Sequence, residues 1–244
     1  MRTLVIGDIH GGYKALKQLI ERIELKKTDH LIFLGDYVDG WSESVQVIHF
    51  LMELATTNQC TFIRGNHDTW CLRWLKTKKP NNVWLRYGGY STFEDYSKVS
   101  TAVEKEHIHF FENLQDFLVD KENRLFLHAG YTSMHGVAQE EYSTNFYWDR
   151  TLWETALALD DRIAIDSPYY PKRLKNYKEI YIGHTPTKHY NEENPMNKAN
   201  IWNLDTSAAY KGKLTAMDID TKEIWQSNPV FELYANEDGR NISG

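Results

Sequence analysis

Five short clusters of Gly, Asp, Asn and His interrupt the chain, and each one follows an apolar run. The clusters are residues 7–11 (GDIHG), 35–39 (GDYVD), 65–68 (GNHD), 128–130 (HAG) and 183–185 (GHT). They supply carboxylate, imidazole and amide donors without a thiolate, a set that suits Mn, Fe, Zn and similar divalent ions. Six such donors exceed what one ion draws from a protein while one coordination position stays open, so the set predicts two neighbouring ions. The six candidate ligands are Asp8, His10, Asp36, Asn66, His128 and His184.

The apolar runs before the clusters predict buried strands, and helical patterns separate the first of these strands. The predicted strands cover residues 2–7, 30–34, 60–64, 124–128 and 179–183, and the predicted helices cover residues 12–24, 43–55 and 67–76. This alternation is typical of an α/β fold with a largely parallel sheet, in which ligands bind at the carboxyl ends of the strands. Residues that are distant in sequence are therefore expected to meet at one sheet edge.

The rest of the chain divides into a helical insertion, a long connection and short C-terminal strands. Residues 83–114 predict the helical insertion, and residues 131–178 predict a long connection over or near the site, as in lids and binding loops. Short antiparallel strands are predicted at residues 200–204, 213–218 and 222–226. We therefore expect one domain over residues 1–226 and a partly frayed C-terminal extension over residues 227–244.

Composition argues against nucleic-acid and membrane partners. The net charge of the chain is −6, whereas a nucleic-acid-binding protein is expected to carry a basic face. No apolar stretch of the sequence approaches the length that spans a bilayer. The two cysteines, Cys60 and Cys71, fit no disulfide or CxxC pattern, so we expect reduced thiols in a cytoplasmic protein. We also expect a monomer.

The ordered succession GDIHG, GDYVDG, GNHD, HAG and GHT, over about residues 1–220, resembles the calcineurin-like metallophosphoesterases. In its details it is similar to the phosphoprotein phosphatase branch and the bacterial members of that branch. The resemblance implies two mixed β-sheets packed face to face with flanking helices. It also implies roles for the clustered residues. Asp8, His10 and Asp36 would hold one metal ion, Asp36 would bridge to a second ion held by Asn66, His128 and His184, and His67 would be the general acid oriented by Asp39.

That assignment is chemically reasonable. A water molecule between two dications exists as hydroxide near neutral pH and can attack phosphorus in line with the leaving oxygen. An imidazolium at His67, paired with Asp39, can give its proton to that leaving oxygen. The resemblance therefore implies hydrolysis without a covalent enzyme intermediate.

The arginines that should bind phosphate depart from the pattern of the branch. Its second motif usually continues Arg-Gly after the second Asp, but Gly40 and Trp41 follow Asp39 in this chain. The segment 148–150 (WDR) resembles the Trp-x-Arg of bacterial relatives, which makes Arg150 the predicted phosphate ligand. Arg86, just before a Gly-Gly pair, is the candidate substitute for the missing arginine. Trp41 is a candidate stacking platform at the rim of the site.

Three functions remain open from the sequence. The leading hypothesis is a dimetal phosphomonoesterase, similar to protein serine/threonine phosphatases, that acts on a phosphorylated protein or a small phosphate ester. Mn is the expected metal, with Fe and Zn as alternatives. The second hypothesis is a symmetrical dinucleoside tetraphosphatase or a cap-type pyrophosphatase, which the missing arginine favours. The third is an inactive scaffold that binds a phosphoprotein.

Overall fold

A computed structural model describes residues 1–240 of the 244-residue chain. In that part of the chain the strands are β1 (Thr3–Ile6), β2 (His30–Phe33), β3 (Gln59–Phe62), β4 (Phe117–Val119), β5 (Arg124–Leu127), β6 (Glu179–Ile182), β7 (Met196–Lys198), β8 (Ile201–Asn203), β9 (Thr215–Asp218) and β10 (Ile224–Gln226). The α-helices are α1 (Tyr13–Ile23), α2 (Ser44–Leu54), α3 (Asn66–Thr77), α4 (Asn82–Trp84), α5 (Tyr90–Tyr96), α6 (Thr101–Glu112), α7 (Asn145–Trp148), α8 (Thr151–Ala158) and α9 (Val230–Leu233). A kinked π-helical turn covers Leu85–Gly89, in which Tyr87 and Gly88 leave the helical conformation. Short 3₁₀ turns cover Val137–Gln139, Lys172–Lys175 and Thr187–Tyr190.

The strands form two mixed five-stranded sheets. The first has the order β10-β9-β1-β2-β3, with β1, β2 and β3 parallel and β9 antiparallel to both of its neighbours. The second has the order β4-β5-β6-β8-β7, with β5, β6 and β8 parallel and an antiparallel strand at each edge. This arrangement confirms the expected architecture of two mixed sheets with flanking helices.

Alternation along the central strands explains how both faces of each sheet are buried. In β1, Leu4 and Ile6 pack under the helices while Val5 packs between the two sheets. In β5, Leu125 and Leu127 pack under the second helical layer while Phe126 faces the inter-sheet core. Strands that bury both faces read as continuous apolar runs, which is the pattern that the sequence shows in β1, β2, β5 and β6. The edge strand β3, before the 65–68 cluster, is mostly half-buried or exposed.

The helices cover the outer faces of the sheets. Helix α1 presents Ala15, Leu16, Leu19 and Ile23 to the core at helical spacing. Helices α4 to α6 and the π-helical turn occupy the stretch for which the sequence predicts a helical insertion. None of the helices in residues 1–240 is long and apolar enough to cross a membrane.

The sequence predicts a partly frayed extension over residues 227–244, and the described part of this stretch packs on the domain. Val230 and Tyr234 are buried, and the Tyr234 ring stacks on Trp41 at a centroid distance of 5.1 Å. Farther along, the Arg240 amide donates to the carbonyl of Ala209 at 2.8 Å. Apolar anchors within a polar stretch therefore hold this part of the chain against the domain as far as residue 240. Residues 241–244 lie outside the described residues.

Candidate metal centre

The loops at the carboxyl ends of the strands bring all six predicted ligands together. Asp8 and His10 follow β1, Asp36 follows β2, and Asn66 begins α3 just after β3. His128 follows β5 and His184 follows β6, so the second sheet contributes two imidazoles. All six residues are at most 6% exposed. The shared edge that the sequence predicts is therefore a buried polar cluster.

One group of candidate ligands consists of Asp8, His10 and Asp36, whose donor atoms lie within 4.8 Å of one another. His10 Nε2 lies 3.9 Å from Asp8 Oδ2 and 3.5 Å from Asp36 Oδ2. The second group contains Asp36, His128 and His184, again within 4.8 Å. Asp36 belongs to both groups, as the resemblance implies for a bridging carboxylate.

Asn66 joins the second group through its side-chain oxygen. Asn66 Oδ1 lies 3.0 Å from His184 Nδ1 and 3.2 Å from His128 Nε2. His128 Nε2 lies 3.4 Å from Asp36 Oδ2. Two carboxylates, three imidazoles and one amide thus converge, and the whole donor set is made of oxygen and nitrogen.

Backbone carbonyls fix the orientation of two of these imidazoles. His10 Nδ1 lies 3.1 Å from the carbonyl oxygens of Val38 and Asp39, and His128 Nδ1 lies 2.8 Å from that of Leu34. A ring nitrogen that faces a carbonyl oxygen carries the proton and donates it. With Nδ1 protonated, Nε2 can offer its lone pair to a metal ion, and in both residues Nε2 points toward Asp36.

The electrostatics of the cluster fit cations. Among the described residues, Asp8 Oδ1 and His184 Nε2 are buried without a hydrogen-bond partner. Burial, reinforced by the nearby Asp205 carboxylate, raises the pKa of Asp8 well above its usual range, and burial lowers the pKa of His184. Burial also opposes ionisation of Asp36, but the surrounding His128 and His67 rings outweigh it and hold the pKa of Asp36 low. Dications would satisfy the unpaired atoms and offset the repulsion between carboxylates, so the residues present fit two such ions.

A glycine allows one of the carboxylates to approach the neighbouring loop. A Cβ atom placed on Gly183 would lie 2.0 Å from Asp8 Oδ1, a distance that no side chain could tolerate. The amide of His184, the next residue, donates to Asp8 Oδ2 at 3.0 Å. Glycine in the 183–185 cluster is therefore a packing requirement of the site.

His67 and Asp39 form the predicted pair. His67 Nδ1 lies 2.6 Å from Asp39 Oδ2, and both residues are buried. Burial, together with the nearby Arg240 guanidinium, lowers the pKa of His67 to about 3, and burial raises the pKa of Asp39 to about 8. The pair thus has no net charge, and it has the same charge and the same number of protons as the imidazolium–carboxylate pair that the sequence suggests; the two forms differ only in whether the shared proton resides on Asp39 or on Nδ1. If that proton resides on Asp39, the neutral ring carries its own proton on Nε2, so the ring keeps a donor on the side away from Asp39.

Two residues that the sequence analysis did not identify position the His67–Asp39 pair and the loops that carry the ligands. Trp84 Nε1 donates to Asp39 Oδ2 at 2.7 Å, from a ring that is fully buried. The Asp68 carboxylate accepts hydrogen bonds from the amides of Gly65, Asp36 and Tyr37 at 2.8–2.9 Å. Asp68 is visible in the sequence as the last residue of the GNHD cluster, and its position in the first turn of a predicted helix is the available signal. Trp84 carries no such signal.

A cavity of about 340 Å³ adjoins the cluster and contains Arg150 but not Arg86. Arg150 Nη1 donates to Thr185 Oγ1 at 2.9 Å, and Asp36, Asn66 and His184 line the same cavity. Arg86 is exposed on the π-helical turn and faces a neighbouring cavity instead. The structure therefore does not bring Arg86 to the ligands, because that turn directs its side chain outward. Arg240 lines the ligand cavity, and no motif in the sequence points to it.

The aromatic wall of this cavity is not the one that the sequence suggests. Trp41 is wrong as a rim residue: it is fully buried, and its Nε1 donates to the carbonyl of Ala208 at 2.7 Å. The cavity is lined instead by Trp70, Tyr87, Trp148 and Tyr210. Trp148 is 41% exposed and lies in the predicted long connection, so that connection reaches the site with Trp148 and Arg150.

Comparison with known proteins places this geometry in a family. The family model for calcineurin-like phosphoesterases matches residues 1–210. An asymmetrical bis(5'-nucleosyl)-tetraphosphatase from Bacillus cereus is 27% identical over 244 residues, covering 92% of this chain and 93% of the relative. A protein of the same name from Anoxybacillus flavithermus is 25% identical and covers 87% of this chain and 88% of its own length.

Solved structures share the fold at lower identity. One, assigned provisionally to the diadenosine tetraphosphatases, has a TM-score of 0.63 and 19% identity, with 92% of each chain covered. A protein serine/threonine phosphatase from Saccharomyces cerevisiae has a TM-score of 0.59 and 15% identity, covering 93% of this chain and 80% of its own. At these identities the likeness shows the fold alone.

Proposed function

This chain belongs to the calcineurin-like phosphoesterase family, and on that premise we propose that it hydrolyses dinucleoside polyphosphates with two divalent metal ions. One observation carries the proposal: the cavity beside the buried ligands has an aromatic wall. Phosphates would lie against the ligands while a nucleobase stacks on Trp148 or Tyr87, since every base has a face that stacks on aromatic rings. The Bacillus relatives that share most of this chain are named as tetraphosphatases, which supports the same substrate class.

The geometry supports an assignment of ligands to two ions. Asp8, His10 and Asp36 would hold one ion, and Asp36 with Asn66, His128 and His184 would hold the other. When bound, such ions acidify water and offset negative charge on phosphate oxygens. The donor set suits Mn, and Fe or Zn are the alternatives.

The chain's own residues would position the substrate and move a proton. Water adds to one phosphorus and releases a proton to solvent, the P–O bond on the opposite side breaks, and the leaving phosphate departs with the bonding electrons. Arg150 would grip oxygens of the reacting phosphate with its planar fork, held beside the site by Thr185. His67 would donate its Nε2 proton to the leaving oxygen while the proton shared with Asp39 resides on Nδ1, which leaves a neutral ring, and Asp39 and Trp84 hold the ring in that orientation.

The position of Trp148 favours asymmetrical cleavage. Its ring centroid lies 6.1 Å from that of the candidate ligand His184. A base stacked there would lie close to the reacting centre, so the phosphate attacked would be near one end of the chain. We therefore expect ATP and AMP from diadenosine tetraphosphate. The symmetrical alternative would give two ADP.

Phosphomonoester hydrolysis is the second candidate, and the His67–Asp39 pair is the observation that favours it. A nucleotide is already a stable leaving group, so protonation assists its departure little. An alkoxide, such as the serine oxygen of a phosphopeptide, needs a proton far more. A buried and well-oriented acid is therefore more useful for esters than for anhydrides.

A substrate panel separates these functions. The purified protein would be assayed with Mn²⁺, Fe²⁺ or Zn²⁺ on diadenosine tetraphosphate, p-nitrophenyl phosphate and a phosphoserine peptide, with EDTA as the control. We expect the highest kcat/KM on diadenosine tetraphosphate, with loss of activity in EDTA. A preference for the peptide would replace the proposal with the second candidate. No hydrolysis with any metal would favour the phosphoprotein-binding scaffold.

A further inference from the structure

A second guanidinium reaches the ligand cavity from the C-terminal end of the described chain. Arg240 lines this cavity together with Asp36, Asn66 and Arg150. Its Nη1 lies 3.5 Å from His10 Nε2, the nitrogen that faces Asp8 and Asp36. Arg150 lies beside His184 of the other ligand group, with Nη1 3.4 Å from the His184 carbonyl oxygen. Each group of candidate ligands therefore has one guanidinium beside it.

Local packing holds Arg240 in this position. Its amide donates to the Ala209 carbonyl at 2.8 Å, and its guanidinium carbon lies 5.4 Å from the centroid of the Tyr210 ring. Both contacts come from the segment that follows β8, a part of the core sandwich. The side chain is thus directed from a fixed backbone into the cavity.

Two glycines leave room for the stem of the Arg240 side chain. A Cβ on Gly88 would lie 2.9 Å from Arg240 Cγ, and a Cβ on Gly40 would lie 3.4 Å from the same atom. The two glycines are joined by a 3.0 Å hydrogen bond from the Gly40 amide to the Gly88 carbonyl, and both have positive φ. Gly40 directly follows Asp39, where the phosphatase branch usually carries an arginine. The stem of Arg240 therefore passes beside the position at which that arginine is missing.

The surroundings of the Arg240 guanidinium favour a bound anion. Arg240 Nε is buried and has no hydrogen-bond partner among the described residues. A buried donor without a partner costs free energy, and a guanidinium beside a cation site is repelled when the ions are present. Phosphate oxygens would satisfy the donor and offset both positive charges. A bidentate grip on phosphate is the interaction that the guanidinium shape provides.

We propose that Arg240 is a substrate-binding residue that grips the phosphate opposite Arg150, in place of the arginine missing after Asp39. This proposal rests on the function proposed above. It assigns the replacement to the C-terminal stretch rather than to Arg86.

The test measures phosphate affinity in Arg240→Ala and Arg240→Lys. Arg162→Ala is the matched control, since Arg162 is 89% exposed and pairs with Asp160. For each protein, inorganic phosphate is used as a competitive inhibitor of p-nitrophenyl phosphate hydrolysis, and bound metal and melting temperature are recorded. In Arg240→Ala we expect the inhibition constant for phosphate and the KM to rise about tenfold or more. Arg240→Lys should recover only part of this loss, because an ammonium lacks the planar fork. Bound metal should stay unchanged, as should all properties of the control.

Other results would overturn the proposal. An unchanged inhibition constant for phosphate in Arg240→Ala would overturn it. Loss of bound metal would also overturn it, because Arg240 would then support the ligands rather than the substrate. If Arg240→Ala does not fold, Arg240→Lys carries the same test. If the wild type hydrolyses no phosphate compound, the proposed function fails. Calorimetric titration of the metal-loaded protein with phosphate then tests Arg240 on its own: weaker binding in the variant supports the inference, and equal binding refutes it.

Discussion

Replacement of Trp148 by alanine tests whether the aromatic wall binds a nucleobase. The centroid of the Trp148 ring lies 5.0 Å from that of Trp70 and 6.1 Å from that of His184. One side of the Trp148 ring therefore packs on these two rings, while 41% of the residue stays exposed. We expect Trp148→Ala to weaken the binding of diadenosine tetraphosphate. It should leave the binding of a phosphate chain without bases almost unchanged.

The size of the effect follows from the exposed area of the ring. A tryptophan side chain offers up to about 250 Å², so the exposed part is roughly 100 Å². A base that covers half of this part at about 25 cal/mol per Å² contributes about 1.3 kcal/mol, within the range of about 1–3 kcal/mol for base stacking on aromatic residues. The KM for diadenosine tetraphosphate should therefore rise about tenfold.

The assay compares the KM for diadenosine tetraphosphate with that for inorganic tripolyphosphate, which has the same anhydride bonds but no base. Trp148→Phe should recover most of the loss, since it keeps an aromatic face. Tyr142→Ala is the matched control, because Tyr142 is 67% exposed on the same connection but does not line the cavity. If Trp148→Ala raises both KM values equally, the ring supports the site in general and the stacking argument fails.

Three further predictions concern the ligands, the acid and the core. Asp36→Asn removes the carboxylate shared by both ligand groups and should lower kcat by about 100-fold or more with loss of bound metal. The control is Asp220→Asn on the surface, and normal kcat with both metals retained would contradict shared ligation. His67→Asn should lower kcat by about 100-fold or more for an alkyl phosphate and much less for p-nitrophenyl phosphate. Equal losses would rule out His67 as the acid. Burial, with the neighbouring His49, lowers the pKa of His107 to about 4, so the folded state resists protonation of this ring. The neutral His107 ring therefore contributes its full share to the free energy of unfolding above about pH 6.5, and this share is lost as the pH falls toward 4. Urea unfolding should therefore show a loss between pH 7 and pH 5 that is about 2 kcal/mol larger in the wild type than in His107→Gln. Parallel losses in the two proteins would refute this.

The central strands and the ligand clusters could be predicted because their signals are local. A strand buried on both faces must be continuously apolar, and β2 and β6 have that character. A ligand at the carboxyl end of such a strand must follow it within a few residues, as Asp36 and His184 do. Local order in the sequence therefore indicates both the strand and the ligand. The short strand β7 has no comparable apolar run, and its pairing with β8 comes from tertiary context.

The substrate side of the site could not be predicted in the same way. Trp41 follows Gly40 with its positive φ, and the turn directs the ring into the core beside Tyr234 instead of outward to the rim. Arg240 lies 200 positions from Gly40 in sequence, so no spacing links the glycine to the side chain that passes beside it. Such pairs are set by the packing of the C-terminal stretch on the domain, which composition does not reveal.

Four residues of the site have a backbone conformation that favours glycine, although none of them is glycine. His10, Asp36, Asp39 and His184 all have φ between 52° and 73°, a region that is uncommon for residues other than glycine, although Asn, Asp and His adopt it more often than the rest. Each such conformation costs on the order of 1–3 kcal/mol and persists only where the surroundings enforce it. For Asp36 the enforcement is visible, because its amide donates to the buried Asp68 carboxylate at 2.9 Å. Glycine would relieve the strain at these four positions but would remove the ligands and the partner of the acid. These four positions therefore keep the side chains that the site needs, at a conformational cost that glycine would avoid.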